Sequence, residues 1–121
     1  MSVRTYRDLI AWQKAIELVK RIYELTQTWP NEEKFGLTSQ IRRAAVSIPS
    51  CIAEGHGRRS DKEFARFLNI AHGSLMEVET QITIARELDY ISETDVNHLH
   101  SMSSQLGRTI YGLLQRASSA T

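Results

Sequence analysis

The chain has 121 residues, 41% hydrophobic and 24% charged, which is the composition of one ordinary globular domain. Its 15 basic and 14 acidic residues leave a formal net charge of +1, which excludes a strongly basic nucleic-acid binder but not a local basic patch. The single cysteine cannot form an internal disulfide, and no signal peptide or membrane-spanning run is present, so a cytoplasmic protein with no membrane partner is expected.

Helical periodicity dominates the sequence and predicts four helices, at about residues 8–28, 37–56, 61–88 and 93–117. The first helix is expected to end at Trp29-Pro30, because the residue before a proline is disfavoured in a helix. Trp12 and Tyr23 of this helix are assigned to the core, whereas Trp29 at its end is a candidate for an interface. The predicted apolar stripe of this helix is Leu9, Trp12, Ile16, Val19, Tyr23 and Thr26.

The second helix contains Pro49, yet its apolar stripe stays in phase across the proline, which favours one kinked helix over two. That stripe is Leu37, Ile41, Ala44, Ala45, Ile48 and Ile52. Gly55 and Gly57 are expected to end the helix with a glycine in the left-handed conformation. The segment EGHGR at 54–58 lacks the preceding strand and the GKS or GKT ending of a P-loop, so a helix cap is the favoured interpretation.

Polar residues mark the starts of the last two helices. Ser60 followed by Glu63 predicts a capping box for the third, and Ser92 with Asp95 can start the fourth. The expected stripe of the third helix is Phe64, Phe67, Leu68, Ala71, Leu75, Val78, Ile82 and Ala85, and that of the fourth is Val96, Leu99, Ser103, Leu106, Ile110, Leu113 and Ala117. Gly73-Ser74 is expected to allow close packing against the second helix. The predicted fold is all-α, an antiparallel up-and-down four-helix bundle spanning residues 1–121.

Much of the chain resembles a known family. The segment LIAWQKA near the start, Trp29-Pro30, and the long motif QIRRAAVSIPS-x-IAEG-x-GR are similar to those of the bacterial four helix bundle proteins. This group is also called the 23S rRNA-intervening sequence protein family. The resemblance covers about Tyr6 to Leu114. The family's usual asparagine at position 51 is replaced here by Cys51, so no role that needs an amide there is carried over.

The resemblance implies a small helical bundle without a known enzymatic activity. Some family members form pentameric rings, and some are encoded within intervening sequences of large-subunit ribosomal RNA genes. A related group, the accessory variability proteins of diversity-generating retroelements, forms a pentameric barrel that binds nucleic acid and a reverse transcriptase. A homo-oligomer, with five copies by resemblance, and RNA or DNA are therefore the partners considered.

Six cations cluster between residues 40 and 66 and are the candidate nucleic-acid-binding residues: Arg42, Arg43, Arg58, Arg59, Lys62 and Arg66. Phosphate binding needs such clusters. Two other readings stay open. The arginines can pair within the chain, Arg42 or Arg43 with Glu77, Glu79 or Glu54 and Arg66 with Glu63, or they can pair with acids across subunits. The acidic segment 77–95 supplies partners for either pairing.

No pattern indicates a catalytic, metal or cofactor site, and no small-molecule substrate is expected. Cys51 and His56 lie five residues apart, so a regular helix does not bring them face to face. His98 and His100 point to different faces, and no Glu-x-x-His pair of a di-iron bundle is present.

Surplus apolar residues beside the stripes indicate self-association. They are Ile10, Leu18, Ile22 and Leu25 in the first helix and Ile70 and Ile84 in the third. The leading hypothesis is a non-enzymatic oligomer that contacts nucleic acid or a nucleoprotein through its basic helix 2–helix 3 region. The alternative is a structural or protein-partner adaptor oligomer with no nucleic-acid role.

Overall fold

The computed structural model describes residues 4–119, and these form an all-α, antiparallel up-and-down four-helix bundle. Its helices are α1 (Ile10–Thr26), α2 (Leu37–Gly57), α3 (Asp61–Glu87) and α4 (Glu93–Ser119). Two 3-10 helices, Tyr6–Asp8 and Asn31–Glu33, precede α1 and α2. Each helix packs on the next along the chain, and α1 also packs on α4, which closes the bundle. None of the helices in the described part of the chain is long and apolar enough to cross a membrane.

The predicted stripes of α2, α3 and α4 form the core. All residues expected on the stripes of α2 and α4 are buried, and so are those of α3 except Phe64, which is half-buried. Helix α2 runs without interruption through Pro49, which is itself buried. A single helix rather than two is therefore confirmed, because continuous apolar contact holds the chain in phase on both sides of the proline.

The predicted stripe of α1 is confirmed at its ends, where Leu9 and Thr26 are buried, and is wrong by one position of the helix between them. Ile16 and Tyr23 are 40% and 39% exposed, and Trp12 and Val19 are only half-buried. The buried row is Ala11, Ala15, Leu18, Ile22 and Thr26. Two neighbouring rows of α1 are apolar, and the row with alanines faces inward, because small side chains let α1 approach α2 and α4. Leu18 and Ile22 are thus core residues rather than surplus surface.

The N-termini of α3 and α4 are capped as expected. The hydroxyl of Ser60 accepts from the N–H of Glu63 at 3.3 Å, and that of Ser92 accepts from the N–H of Asp95 at 3.1 Å. Each bond satisfies one of the backbone donors that the first turn of a helix leaves unpaired. The carboxylate of Glu63 pairs with Arg66 instead of accepting from the backbone of Ser60. The structure therefore contains only the Ser60 half of the predicted capping box.

The end of α2 differs from the expected glycine cap. The helix continues through Gly57, and no described glycine has a positive φ; the left-handed residue is Arg59, with φ of 57°. Gly55 serves close packing instead, since a Cβ there would lie 2.6 Å from the Cβ of Phe67 on α3. Of the Gly73-Ser74 pair expected at this contact, Ser74 is buried with its hydroxyl 2.9 Å from that of Ser47 on α2, whereas Gly73 has no neighbour within 4 Å of a Cβ position. The α2–α3 pair is the most extensive in the bundle, and Gly55 allows it.

The α1–α2 connection is more ordered than a polar loop. Trp29, expected at an interface, is 7% exposed and packs against the ring of Tyr90, because the chain after α1 folds back over the core. Glu33 accepts from the N–H of Leu37 at 3.0 Å and from the hydroxyl of Tyr90 at 2.9 Å. Both hydrogen bonds lower the pKa of Glu33, the one from the Leu37 N–H more than the one from the Tyr90 hydroxyl. The same carboxylate therefore caps α2 and ties it to the α3–α4 turn.

Candidate nucleic-acid interface

The near-zero net charge conceals a separation of charge along the bundle. When each helix is divided at its middle, residues 4–17, 48–74 and 106–119 form one half, here called the basic half. It holds nine cations against five acids, a net +4: Arg4, Arg7, Lys14, Arg58, Arg59, Lys62, Arg66, Arg108 and Arg116 against Asp8, Glu17, Glu54, Asp61 and Glu63. The end of this half, where α2 meets α3, is called the basic end.

The opposite half carries the excess of acids. It holds nine acids against six cations, a net −3: Glu24, Glu32, Glu33, Glu77, Glu79, Glu87, Asp89, Glu93 and Asp95 against Lys20, Arg21, Lys34, Arg42, Arg43 and Arg86. The 27-residue helix α3 spans about 40 Å at 1.5 Å per residue. Within one chain, the acids at the α3–α4 turn are therefore too far from the cations of the basic end to pair with them. Two of these acids pair with nearby arginines instead, Glu93 with Arg86 and Asp95 with Arg21.

Two cations of the basic end are held by carboxylates of their own helices. Arg58 donates to Glu54 at 2.9 Å, and Arg66 makes two bonds to Glu63, at 3.0 and 3.3 Å. The Arg66 hydrogen bond lowers the pKa of Glu63, and Glu63 in turn raises the pKa of Arg66. Both guanidinium carbons also lie near the ring of Phe67, at 5.2 and 4.6 Å from its centroid. The pairing of Arg66 with Glu63 expected from the sequence is confirmed.

Two further cations of this end, Arg59 and Lys62, are exposed and form no ion pair within residues 4–119. Arg59 follows α2 in the left-handed conformation, and its N–H bonds the carbonyl of His56 at 3.4 Å. Lys62 lies in the first turn of α3. Each is exposed. The structure thus brings Arg58, Arg59, Lys62 and Arg66 together at one end of the bundle.

Arg42 and Arg43 lie elsewhere. Arg42 is 16 residues before Arg58 on the same helix, or about 24 Å along its axis. Its Nε donates to Thr26 Oγ1 at 2.9 Å, and its guanidinium lies 4.5 Å from the Tyr23 ring centroid. It therefore fastens α2 to α1 through a hydroxyl and an aromatic ring.

Arg43 is exposed and lines a groove between α2 and α3. The expected pairing of Arg42 or Arg43 with Glu77, Glu79 or Glu54 is wrong. Glu54 pairs with Arg58, and Glu79 accepts from Ser103. The reason is that Arg42 turns toward α1, whereas Arg43 stays in the groove.

A cleft of about 490 Å³ opens at the basic end, between the segment before α1, the last turn of α2 and the start of α3. Its lining residues are Arg4, Thr5, Tyr6, Gly55, His56, Gly57, Arg59, Ser60, Asp61 and Phe64. Sequence reasoning missed Arg4 and Arg7 as members of this region. The antiparallel order of the helices supplies the missing signal, since it places the N-terminus of α1 beside the α2–α3 turn.

Cys51 and His56 are engaged with other residues. The Cys51 thiol lies 3.7 Å from the Ser47 hydroxyl, and the His56 ring packs edge-on against Phe64 with centroids 5.8 Å apart. Within the described ranges, no group of three or more His, Cys, Asp and Glu side chains is arranged to hold a metal ion.

Comparison with known proteins places the chain in a family. No curated protein is significantly similar to it. A solved structure from Bacteroides thetaiotaomicron VPI-5482, a protein of unknown function from the S23 ribosomal protein family, superposes with a TM-score of 0.80 at 25% identity. The match covers 88% of this chain and 96% of that one. The family model of the 23S rRNA-intervening sequence proteins matches residues 7–112. The chain belongs to the 23S rRNA-intervening sequence protein family.

Proposed function

We propose that this protein is a non-enzymatic, self-associating helical bundle that contacts nucleic acid through its basic end. The observation that carries the proposal is the separation of charge, with net +4 in the basic half and −3 in the other. A polyanion approaching this bundle is attracted to one end and repelled from the other. The contact set is Arg58, Arg59, Lys62 and Arg66.

The ion pairs at this end are compatible with phosphate binding. Arg58 and Arg66 pair with Glu54 and Glu63 at spacings of four and three residues, and all four side chains are at least one-third exposed. Exposed pairs of this kind contribute little to the stability of a helix. A phosphate can therefore replace the carboxylate with little loss of stability. Arg59 and Lys62 have no ion pair to break before they bind phosphate.

The test is a fluorescence anisotropy titration of labelled single-stranded RNA and duplex DNA at several salt concentrations. Four phosphate contacts predict a slope of log K against log salt of about −3.6 for the duplex and about −2.8 for the single strand. The double variant Arg59→Gln/Lys62→Gln is expected to bind more weakly and to flatten the slope. Its matched control, Lys20→Gln/Lys34→Gln, removes the same charge from the acidic half. Undetectable binding at about 50 mM salt or a slope near zero refutes nucleic-acid contact. Equal loss in both variants refutes contact through the basic end.

We also propose that the α2–α3 groove binds a second copy of the chain. Phe35 is 90% exposed beside the groove, which has a volume of about 540 Å³. Arg43 and Glu77 line it, and both are without ionic partners among the described residues. The Oε1 of Gln81 is buried there without a hydrogen-bond partner. An adjoining depression adds exposed Met76 and Ile84.

A neighbouring copy fits these features because it supplies what each lacks. It can bury the Phe35 ring, set Arg43 against Glu77 of the other chain, and donate to Gln81. A contact in which the same groove of both copies meets is two-fold, whereas closure into a ring needs a head-to-tail contact between two different surfaces; the number five rests on the family resemblance alone.

Light scattering at micromolar concentration tests this self-association. The expected mass is several times the 13.8 kDa of one chain. Phe35→Ser is expected to lower that mass, whereas Tyr111→Ser, which removes a 53% exposed ring of α4, leaves it unchanged. Arg43→Glu should dissociate the assembly, and adding Glu77→Arg should restore it. A clean monomer for the unmodified chain overturns the proposal.

A further inference from the structure

The cleft at the basic end combines two kinds of recognition group in one small volume. Arg4 and Arg59 supply guanidinium groups, and neither forms an ion pair within the described chain. Tyr6, His56 and Phe64 supply flat rings on the walls. A volume of about 490 Å³ lies within the ~300–1,000 Å³ range of small-ligand sites. The lining therefore suits a ligand with an anionic part and a planar part.

The polar groups favour an anion in the region of Arg59. The hydroxyls of Thr5 and Ser60 line the same cleft and can donate to phosphate oxygens. Asp61 is the one carboxylate in the lining, so the two guanidinium groups outnumber it. A phosphate placed between Arg4 and Arg59 would receive charge-assisted hydrogen bonds, which are stronger than neutral ones.

The rings favour a planar heterocycle rather than a second anion. Phe64 is half-buried and holds the His56 ring edge-on at 5.8 Å, and Tyr6 packs against Trp12 at 5.4 Å with an interplanar angle of 62°. These contacts fix the rings before any ligand arrives, which lowers the entropy lost on binding. Bases stack readily on such fixed rings because every base has a π-face.

We propose that this cleft binds a nucleoside phosphate, as one unstacked nucleotide of a single-stranded nucleic acid, with its phosphate at Arg4 and Arg59 and its base against His56, Phe64 and Tyr6. The inference rests on the proposed function and deepens it, because it selects single strands over duplexes. The bases of a duplex are stacked inside the helix and cannot enter a cleft of this kind.

The test uses the full chain and three small probes: adenosine 5′-monophosphate, inorganic phosphate and adenosine, each titrated by calorimetry. The monophosphate is expected to bind more tightly than either fragment. Arg59→Gln is expected to weaken it about tenfold or more, as loss of a charge-assisted hydrogen bond does. Phe64→Leu is expected to weaken it at least about fivefold through lost stacking.

Matched controls remove the same groups from α4, outside the cleft. Arg108→Gln removes one exposed cation of the basic half, and Tyr111→Leu removes one exposed ring. Each is expected to change affinity for the monophosphate less than about twofold. Circular dichroism melts establish that the variants are folded, and Tyr6→Leu takes the place of Phe64→Leu if the latter unfolds.

A labelled ten-nucleotide single-stranded RNA distinguishes binding of a nucleotide in the cleft from nucleic-acid contact at the basic end in general. Loss of RNA affinity in Arg59→Gln and in the ring variant, beyond that in the α4 controls, supports the cleft as a strand site. Salt-dependent RNA binding that Arg59→Gln weakens but the ring variant leaves at the level of its α4 control overturns the cleft and keeps the basic end, because Arg59 belongs to both. Monophosphate binding without RNA binding overturns the proposed function and leaves a site for a free nucleotide. Equal affinity for inorganic phosphate and the monophosphate overturns base recognition.

Discussion

Gly55 is the residue at which the α2–α3 contact can be tested most directly. A Cβ at this position would lie 2.6 Å from the Cβ of Phe67 and 3.2 Å from Phe64 Cδ1, whereas non-bonded carbons favour about 3.5–4.0 Å. The Cβ of Phe67 is fixed to its backbone, so rotation of the side chain cannot relieve the clash and the helices must separate. Overpacking of this kind costs about 1–3 kcal/mol, and alanine returns about 0.5–1 kcal/mol of helix propensity. Gly55→Ala is therefore expected to destabilise the protein by about 1–2 kcal/mol.

The matched control is Gly73→Ala in the middle of α3. A Cβ there meets nothing within 4 Å, so this change is expected to stabilise the protein by up to about 1 kcal/mol. Thermal unfolding followed by circular dichroism, at equal protomer concentrations, should then move in opposite directions for the two variants, by about 4 °C per kcal/mol. A Gly55→Ala protein as stable as the parent would show that the close approach does not limit packing.

Two further predictions concern the helix starts. Ser92→Ala removes the hydroxyl that caps α4 and should cost about 1 kcal/mol in a urea titration; an unchanged midpoint would mean that the cap contributes nothing. The pKa of Glu33 is lowered in the folded state by the Leu37 N–H and the Tyr90 hydroxyl, so its stabilisation is present above the unfolded pKa and is lost as pH falls through the folded value. Glu33→Gln should therefore reduce the fall in Tm on acidification below about pH 4.5, whereas Glu32→Gln, a neighbouring exposed carboxylate, should leave it as in the parent.

The stripes of α2, α3 and α4 could be predicted from the sequence because each has one dominant apolar row. Helix α1 could not be assigned in this way, since the row through Trp12 and Tyr23 and the row through Ala15 and Ile22 are both apolar. Periodicity finds both rows, and only the neighbouring helices decide which one is buried. Tyr23 is used instead as a platform for Arg42, a contact between helices that no spacing along the chain encodes.

Most cations of the candidate site could be identified from the sequence, but which of them lie together in space could not. The six cations of residues 40–66 look continuous in one dimension, yet a helix carries Arg42 about 24 Å from Arg58. Arg4 lies far away in sequence and is brought to the same cleft as Arg59 by the antiparallel packing of the bundle. The glycine that packs closely is likewise Gly55 rather than Gly73, because that choice depends on where the two helix axes approach.

The uneven charge gives the bundle an electric moment along its axis, and the symmetry of any assembly decides what becomes of that moment. In a cyclic ring whose protomer axes run parallel to the ring axis, the moments add, so one face of the ring is basic and the other acidic. In an antiparallel dimer they cancel, and no face attracts a polyanion over the whole assembly. The way the copies pack would therefore set whether a long nucleic-acid strand meets one basic face or isolated basic ends, even though no charged residue changes.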